Sequence, residues 1–310
     1  MGRTVRAYLG GLEAAFIPLM QQGSPGVDFV TDRSTPSEVL AVLMNDRDGA
    51  FPGLEEAITP EVRWIHVLGA GVDRFPLHAV GGRTMTCSRG AAAPAIAEFV
   101  LAAMLAFEKK IPEIWIEEPP AYWGGVGLGG LRSKTLGLIG LGAIAIETAR
   151  RALAFEMDVL AFRRTDAPSP LEGVRLVGSL PELLGASDHL VVAAPSTNAT
   201  KRMLDDEAFA AIKPGTHLIN IARGDLIDQD ALIRALDSER VAIASLDVCD
   251  PEPLPAGHAL YTHPKVRLTP HISWSSVATI TRTIELFGEN LRRYEAGEPL
   301  HGLVDVTAGY

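Results

Sequence analysis

Cysteine is scarce in this chain, which has only two cysteines among its 310 residues. Cys87 and Cys249 stand far apart and form no C-x-x-C motif, which excludes a disulfide framework and a cysteine-based zinc site. The eight histidines form no cluster with metal-ligand spacing, so we predict no bound metal. Free cysteines in such small number are typical of a reducing compartment, and we expect a cytoplasmic protein.

Basic residues and long apolar runs are also lacking. The chain has 28 Lys and Arg against 38 Asp and Glu, a net charge of −10. Nucleic acids and anionic membranes attract a basic face, so we expect neither as a partner. The longest apolar stretch, residues 91–107, is interrupted by Pro94 and Glu98 and is shorter than the roughly 20 residues of a membrane span. Residues 1–6 lack the apolar core of a signal peptide.

Short apolar runs separated by helix-length stretches fill the chain. In the first 90 residues they predict strands at 5–9, 27–30, 39–44, 64–68 and 84–87. Later runs predict strands at 135–139, 159–162, 189–193, 217–221, 242–248 and 266–268. Apolar strands joined by helical crossovers are typical of parallel sheets covered on both faces. The sequence therefore predicts an α/β fold of two domains with doubly wound parallel sheets.

Helical spacing of apolar residues marks two longer helices. One covers residues 93–107, with Pro94 in the first turn, and its apolar stripe indicates core or subunit contact. The other covers roughly residues 277–294 and precedes a short polar tail. Because the last helix can return to the first domain, we expect one domain of residues 1–91 and 273–310 and another of residues 92–272.

The turn Gly140-Leu141-Gly142 follows the strand at 135–139 and opens a helix at Ala143 and Ile144. This is the context of a dinucleotide-binding fingerprint, in which the first glycine permits the turn and the second lets the backbone approach a pyrophosphate. Ala145 replaces the third glycine, a position that needs only a small residue. We predict that residues 92–272 form a Rossmann dinucleotide-binding domain.

The second strand of that domain ends in Arg163, Arg164 and Thr165. An acidic residue at this point would hold the ribose 2′-hydroxyl of NAD, whereas arginines and a threonine donate to a 2′-phosphate. The sequence therefore favours NADP(H) over NAD(H). A solvated strand end is the alternative.

Three polar residues, Arg223, Glu252 and His271, follow later strand-like runs. Strand ends are where open α/β sheets bind ligands. A histidine beside a carboxylate can donate a proton near neutral pH, and an arginine fork can hold a carboxylate and polarise a carbonyl. Together they predict reduction of a 2-oxo acid by a nicotinamide cofactor. Asp247 can contact the nicotinamide carboxamide or cap a turn, and we favour the former.

With these motifs the chain resembles the D-isomer-specific 2-hydroxyacid dehydrogenases, and in its paired arginines the NADPH-using glyoxylate and hydroxypyruvate reductases. The resemblance rests on the fingerprint, the catalytic trio and the segments at 64–73, 88–90, 97–100, 193–195 and 220–228. It implies a flavodoxin-like substrate domain built from both chain ends, a Rossmann domain, a cleft where the two meet, and a homodimer joined through the nucleotide domain.

The resemblance also implies roles for loop residues. It places Ala70 and Gly71 at the substrate carboxylate, together with Arg223 and His271. It adds Ala194, Pro195, Ile221 and Ala222 to the cofactor site.

Two alternatives remain beside a hydroxyacid dehydrogenase. Formate dehydrogenases are similar, but they resemble a variant with glutamine where this chain has Glu252. A nucleotide-sensing binding protein of the corepressor type can retain the same trio, although it should expose an apolar peptide-binding surface. The sequence does not determine which side chain the substrate carries or in which direction the reaction runs in the cell.

Overall fold

The computed structural model describes residues 5–10, 17–44, 52–165 and 167–310, so residues 1–4, considered above for a signal peptide, lie outside it. Contacts divide the chain into two compact units. The first joins both chain ends, Met1–Ala92 and Ser275–Tyr310, and is called the terminal unit here. The second, Ala93–Trp274, is called the central unit.

The described residues contain twelve strands: β1 (Arg6–Gly10), β2 (Asp28–Val30), β3 (Val39–Val42), β4 (Trp64–Val67), β5 (Thr84–Cys87), β6 (Thr135–Ile139), β7 (Asp158–Phe162), β8 (Val174–Leu176), β9 (His189–Val192), β10 (Thr216–Asn220), β11 (Val241–Leu246) and β12 (Val266–Leu268). They also contain eight α-helices: α1 (Ile17–Gly23), α2 (Leu54–Ala57), α3 (Ala93–Lys109), α4 (Ala143–Ala154), α5 (Leu180–Ala186), α6 (Asp206–Ala211), α7 (Gln229–Asp237) and α8 (Val277–Ala296).

The terminal unit is built on a parallel sheet of order β2-β1-β3-β4-β5. Every residue of β3 and β4 is buried, as expected of central strands covered on both faces. Phe287 and Leu291 of α8 join the same apolar core as Trp64 of β4. The final helix of the chain therefore completes the core of the unit begun by the first strand.

The tail after α8, which the sequence indicates as polar, packs against the terminal unit. Val304 N donates to Met85 O (3.0 Å) and Cys87 N donates to Gly302 O (2.9 Å), so the tail pairs with β5 in antiparallel direction. Val304 and Val306 pack against the core beneath β5. The tail thus covers what would otherwise be an open sheet edge.

The central unit contains a seven-stranded parallel sheet of order β12-β11-β10-β9-β6-β7-β8. From β6 the chain adds β7 and β8 on one side, then crosses back and adds β9 to β12 on the other. This doubly wound arrangement confirms the predicted fold class. Strand β8 was not predicted, because a run of three residues at the edge of the sheet carries too short a periodic signal.

Helix α3 confirms the helix predicted at 93–107 and continues to Lys109. Its stripe, including Ile96, Val100 and Met104, is buried, and the helix packs against α4 of the same unit. The stripe is therefore part of the core of the central unit. None of the described helices combines the length and apolar character needed to cross a membrane.

An apolar surface follows α3 in the segment that the sequence indicates as an irregular loop. No helix or strand is assigned between Lys109 and Thr135, all of which the structure describes. Its large apolar side chains are exposed: Trp115, Ile116, Tyr122, Trp123, Val126 and Leu128. We call these residues the exposed apolar segment.

Candidate active site

The three predicted catalytic residues follow three neighbouring strands of the central sheet. Arg223 lies three residues after β10, Glu252 lies in the loop after β11, and His271 lies three residues after β12. Strands β10, β11 and β12 are adjacent and parallel, so their carboxyl ends share one edge of the sheet. Residues separated by 48 positions in the sequence are thus brought to one place by strand order.

His271 and Glu252 form a hydrogen-bonded pair. His271 Nδ1 lies 3.1 Å from Glu252 Oε2, and a carboxylate accepts, so Nδ1 carries the hydrogen. The other oxygen, Glu252 Oε1, accepts from the backbone N–H of Cys249 at 3.2 Å, which fixes the carboxylate within its own loop. The side chains are 20% and 14% exposed. Both side chains are therefore mostly buried but can still be reached by a small molecule. Because Nδ1 binds Glu252, Nε2 is the ring nitrogen that can take part in acid–base chemistry.

The backbone of His271 adopts a left-handed conformation, with φ of 53°, which a residue other than glycine rarely adopts. Asp247, directly after β11, holds this conformation. Its Oδ1 accepts from Thr269 Oγ1 (2.7 Å) and Ile272 N (2.9 Å), and its Oδ2 accepts from Ser273 N (2.9 Å). Asp247 O accepts from His271 N at 2.8 Å.

Asp247 is 1% exposed, and its carboxylate is bound to the turn on both sides of His271. These contacts support the turn-capping alternative for Asp247. The contact to a nicotinamide carboxamide, favoured from the sequence, stays a prediction.

The loop that carries Arg223 is shaped by Asn220, the last residue of β10. Asn220 Oδ1 accepts from Ala222 N (3.1 Å) and its Nδ2 donates to Arg223 O (2.9 Å). Arg223 is half-buried, and its Nη1 donates to Ala222 O at 2.7 Å. Sequence reasoning did not assign Asn220 a role, although an Asx residue at a strand end is a recognisable turn signal.

Gly224 lets the loop after β10 approach the loop after β11. A Cβ at Gly224 would lie 2.0 Å from the carbonyl carbon of Cys249 and 2.5 Å from Asp250 N. Only a residue without a side chain allows this contact. Gly224 therefore places Arg223 beside the loop of Glu252, a role that the sequence reasoning missed.

The glycine turn after β6 has the shape that a pyrophosphate requires. Gly140 has φ of +93°, and a Cβ there would lie 2.8 Å from Ala193 O and 3.0 Å from Ala194 N. Gly142 is the N-cap of α4, with open space where a Cβ would point. Ala145, 0% exposed, packs where the third glycine of the fingerprint would stand. The turn and the helix N-terminus at Ala143 and Ile144 thus fit a dinucleotide phosphate.

The other predicted cofactor residues surround the point where strand order reverses. Ala194 and Pro195 follow β9, next to the Gly140 turn, and Ile221 and Ala222 follow β10. Arg163, Arg164 and Thr165 follow β7 directly, with Arg163 half-buried and the other two exposed. Ligands of open α/β sheets bind at this reversal, here between β6 and β9. The residues present therefore fit a nicotinamide dinucleotide.

The predicted carboxylate loop belongs to the terminal unit. Ala70 is exposed and Gly71 half-buried, and both follow the buried end of β4. Ser88 N donates to both Val67 O and Gly69 O at 3.0 Å, which ties the base of this loop to the end of β5. Within the described ranges, no group of three His, Cys, Asp or Glu side chains could hold a metal ion.

Comparison with known proteins agrees with this geometry. Residues 101–273 match the profile described as "D-isomer specific 2-hydroxyacid dehydrogenase, NAD binding domain". A glyoxylate reductase of Thermofilum pendens is 32% identical over 79% of this chain and 76% of its own.

Two solved structures have the same fold along their whole length. One is a D-isomer specific 2-hydroxyacid dehydrogenase from Xanthobacter autotrophicus in complex with NADPH and MES, with a TM-score of 0.84, 29% identity, and 99% of each chain covered. The other is a glyoxylate reductase from Paecilomyes thermophila, with a TM-score of 0.81, 28% identity, and 98% and 99% covered.

The chain therefore belongs to the D-isomer specific 2-hydroxyacid dehydrogenase family. It is an oxidoreductase with a Rossmann-type domain for a nicotinamide cofactor, which confirms the enzyme class predicted from the sequence.

Proposed function

We propose that this enzyme reduces a small 2-oxo acid, of the glyoxylate or hydroxypyruvate type, to the corresponding D-2-hydroxy acid with NADPH. The observation that carries the proposal is the His271–Glu252 pair, 3.1 Å apart. Its two residues follow β12 and β11, and Arg223 follows β10, the neighbour of β11. The glyoxylate reductases among the relatives support the substrate class.

Each residue of the trio has one task in this reaction. A bound dihydronicotinamide supplies the hydride. Arg223 binds the substrate carboxylate and polarises the carbonyl, since its guanidinium stays charged at any working pH. His271 donates a proton from Nε2 to the oxygen that becomes the hydroxyl. Glu252 stabilises the charged imidazolium and fixes which ring nitrogen faces the substrate.

The substrate loop in the terminal unit has a supporting task. Backbone N–H groups around Ala70 and Gly71 are proposed to bind the carboxylate, as such groups do in anion-binding turns. Side chains there are small, so the backbone can approach a ligand closely.

For the cofactor we propose a preference for NADP(H). Arg163, Arg164 and Thr165 give donors and positive charge directly after β7. The NADPH in the structure of the Xanthobacter relative supports the same preference. Gly140, Gly142 and the N-terminus of α4 would hold the pyrophosphate, and Asp247 the carboxamide.

We also propose a cytoplasmic homodimer. The exposed apolar segment presents several large side chains, including Trp115 (71% exposed) and Trp123 (78% exposed), that a second copy can cover. The segment belongs to the central unit, in agreement with dimerisation through the nucleotide-binding domain. Light scattering should give the mass of a dimer for the wild type and a lower average mass for Trp123→Ser at the same concentration. A wild-type monomer would contradict the proposal.

The function is tested by steady-state kinetics with glyoxylate, hydroxypyruvate, pyruvate and a bulky 2-oxo acid, each with NADPH and NADH. We expect turnover of the small acids. His271→Asn suits the left-handed backbone, because asparagine tolerates it, and should lower kcat on the order of 100-fold or more.

His78→Asn, an exposed histidine of the terminal unit, is the matched control and should leave kcat unchanged. If wild type bound NADPH and reduced none of these acids, the enzymatic proposal would be wrong and the nucleotide-sensing alternative would gain weight. Full activity of His271→Asn would instead assign the histidine a structural role.

A further inference from the structure

A line of buried polar side chains runs along one face of β4 and β5 and ends at the substrate loop. Its members are consecutive hydrogen-bond partners, and we call them the β4–β5 relay: Trp64, Thr86, His66 and Ser88. None is more than 2% exposed. Burying four polar groups in an apolar core destabilises the fold unless each forms its hydrogen bonds. Such an arrangement therefore calls for an explanation.

The direction of the hydrogen bonds follows from the first member. The Trp64 indole has a donor and no acceptor, so Trp64 Nε1 donates to Thr86 Oγ1 at 2.8 Å. The Thr86 hydroxyl then has one hydrogen of its own. Thr86 is 0% exposed, and His66 Nδ1, at 2.7 Å, is the acceptor available to it in the described part of the chain. Thr86 therefore donates to His66.

A neutral imidazole that accepts at Nδ1 carries its hydrogen on Nε2. His66 Nε2 accordingly donates to Ser88 Oγ, 3.1 Å away. Burial lowers the pKa of His66 to about 3, which keeps the ring neutral at working pH. Phe287 stacks on the ring at a centroid distance of 4.8 Å and holds its plane.

Ser88 receives the last hydrogen bond and stands at the base of the substrate loop. Its backbone N–H already binds Val67 O and Gly69 O. Because its oxygen accepts from His66, its own hydroxyl hydrogen is left to donate towards a further acceptor. Ser88 thus joins the relay through its hydroxyl and the loop of residues 69–71 through its backbone N–H.

We propose that the β4–β5 relay fixes the loop of residues 69–71 for the substrate carboxylate, with His66 and Ser88 as its positioning residues. The proposal rests on the proposed function, because it takes this loop as the carboxylate site. Since neither residue needs to touch the substrate, each acts through the backbone of the loop. Their loss should therefore weaken substrate binding more than the chemical step.

The kinetic test compares Ser88→Ala with Ser24→Ala. Ser24 is a buried serine of the same unit whose hydroxyl has no hydrogen-bond partner among the residues that the structure describes, so its loss controls for removal of a buried oxygen. Ser88→Ala should raise KM for the 2-oxo acid about 3- to 10-fold, the scale of one hydrogen bond, with kcat and the KM for NADPH within about twofold of wild type. Ser24→Ala should leave all three unchanged.

Thr86→Val removes the hydroxyl at the other end of His66. If the relay acts as one chain, Thr86→Val raises the same KM, and the double variant with Ser88→Ala is no worse than the poorer single variant. Additive effects, an unchanged KM in Ser88→Ala, or an equal rise in Ser24→Ala would overturn the proposal.

An NMR measurement that needs no turnover tests the relay independently of the proposed function. In ¹⁵N NMR of the wild-type histidine rings, His66 should show a protonated Nε2 and an unprotonated Nδ1, with no titration between pH 5 and 8. A protonated Nδ1, or titration in this range, would overturn the relay even in an active enzyme. If the predicted tautomer were found in an enzyme that reduces no 2-oxo acid, the relay would stand and the proposed function would fail.

Discussion

At the scale of single residues, the site depends on side chains that constrain other side chains. His271 sits in a left-handed conformation that is costly for a histidine, and such strain persists only where the surroundings enforce it. The buried carboxylate of Asp247 supplies that enforcement with three hydrogen bonds to the turn. The backbone of His271 is thereby held in one conformation, as its proposed role of positioned proton donor requires.

The proposed preference for NADP(H) also depends on single residues. Arg163→Asp replaces a donor of a 2′-phosphate by a charge that repels it. We expect the ratio of kcat/KM for NADPH over NADH to fall about 10-fold or more, since a hydrogen bond to a charged group contributes about 1.5–3 kcal/mol. Kinetics with both cofactors measure the ratio.

Arg175→Asp makes the same charge change at an exposed position of the neighbouring strand β8 and should leave the ratio unchanged. An unaltered ratio in Arg163→Asp would show that this arginine is merely a solvated strand end.

At the scale of elements, the site exists because parallel strands end at one edge. Arg223, Glu252 and His271 are carried by the loops that follow three successive strands, and the distances between these loops are set by packing. The closest packing is between Gly224 and the backbone of Cys249 and Asp250. This contact keeps the loop of Arg223 beside the loop of Glu252.

Gly224→Ala should separate those loops, because its Cβ would need the space of the Cys249 carbonyl. We expect kcat/KM for the 2-oxo acid to fall about 10-fold or more, while NADPH affinity measured by fluorescence titration changes little. Gly127→Ala, in the same unit and with open space around the new methyl group, is the control. Retention of full activity by Gly224→Ala would show that the loop adjusts without affecting the trio.

At the scale of the whole molecule, both units bury neutral histidines outside the trio. His66 lies in the terminal unit, and His189 and His217 lie at the amino ends of β9 and β10 in the central unit. His189 Nε2 binds the buried Glu108, and the two rings meet through their Nδ1 atoms at 3.2 Å. Burial lowers the pKa of His189 to about 4, although Glu108 opposes the shift, and it lowers the pKa of His217 as well.

These histidines make the fold sensitive to acid. In the unfolded chain they take up protons near pH 6.5, whereas His189 and His66 in the folded chain do so near pH 4 and 3. The unfolded state therefore binds more protons below pH 6.5, and stability is lost as pH falls through this window. Between pH 7 and 5 each of these two residues should lower the free energy of unfolding by about 2 kcal/mol.

Urea unfolding followed by circular dichroism at pH 7, 6 and 5 measures this loss. His66→Phe retains an aromatic ring against Phe287 and should reduce the slope of the free energy of unfolding against pH, even if it lowers stability at pH 7. An unchanged slope would mean that His66 protonates in the folded protein as readily as in the unfolded chain.

Much of the architecture could be predicted because apolar periodicity and turn chemistry are local properties. The strands at 84–87, 135–139 and 266–268 have their predicted bounds, and the other predicted strands differ from the observed ones by one or a few terminal residues. Strand β8 was missed because it has only three residues, and the pairing of the tail with β5 was missed because it is an isolated bridge at Leu303. Both depend on the rest of the sheet for their stability.

The residue types at the strand ends, the glycine turn for a dinucleotide and the resemblance to the family could all be recognised without coordinates. How those residues act on one another depends on the tertiary structure. It paired His271 with Glu252, bound Asp247 into the His271 turn, pressed Gly224 against the Cys249 loop, and gave the buried His66 a direction. The physical reason is that motifs follow from neighbouring residues, whereas hydrogen-bond partners and burial follow from strand order across the whole sheet.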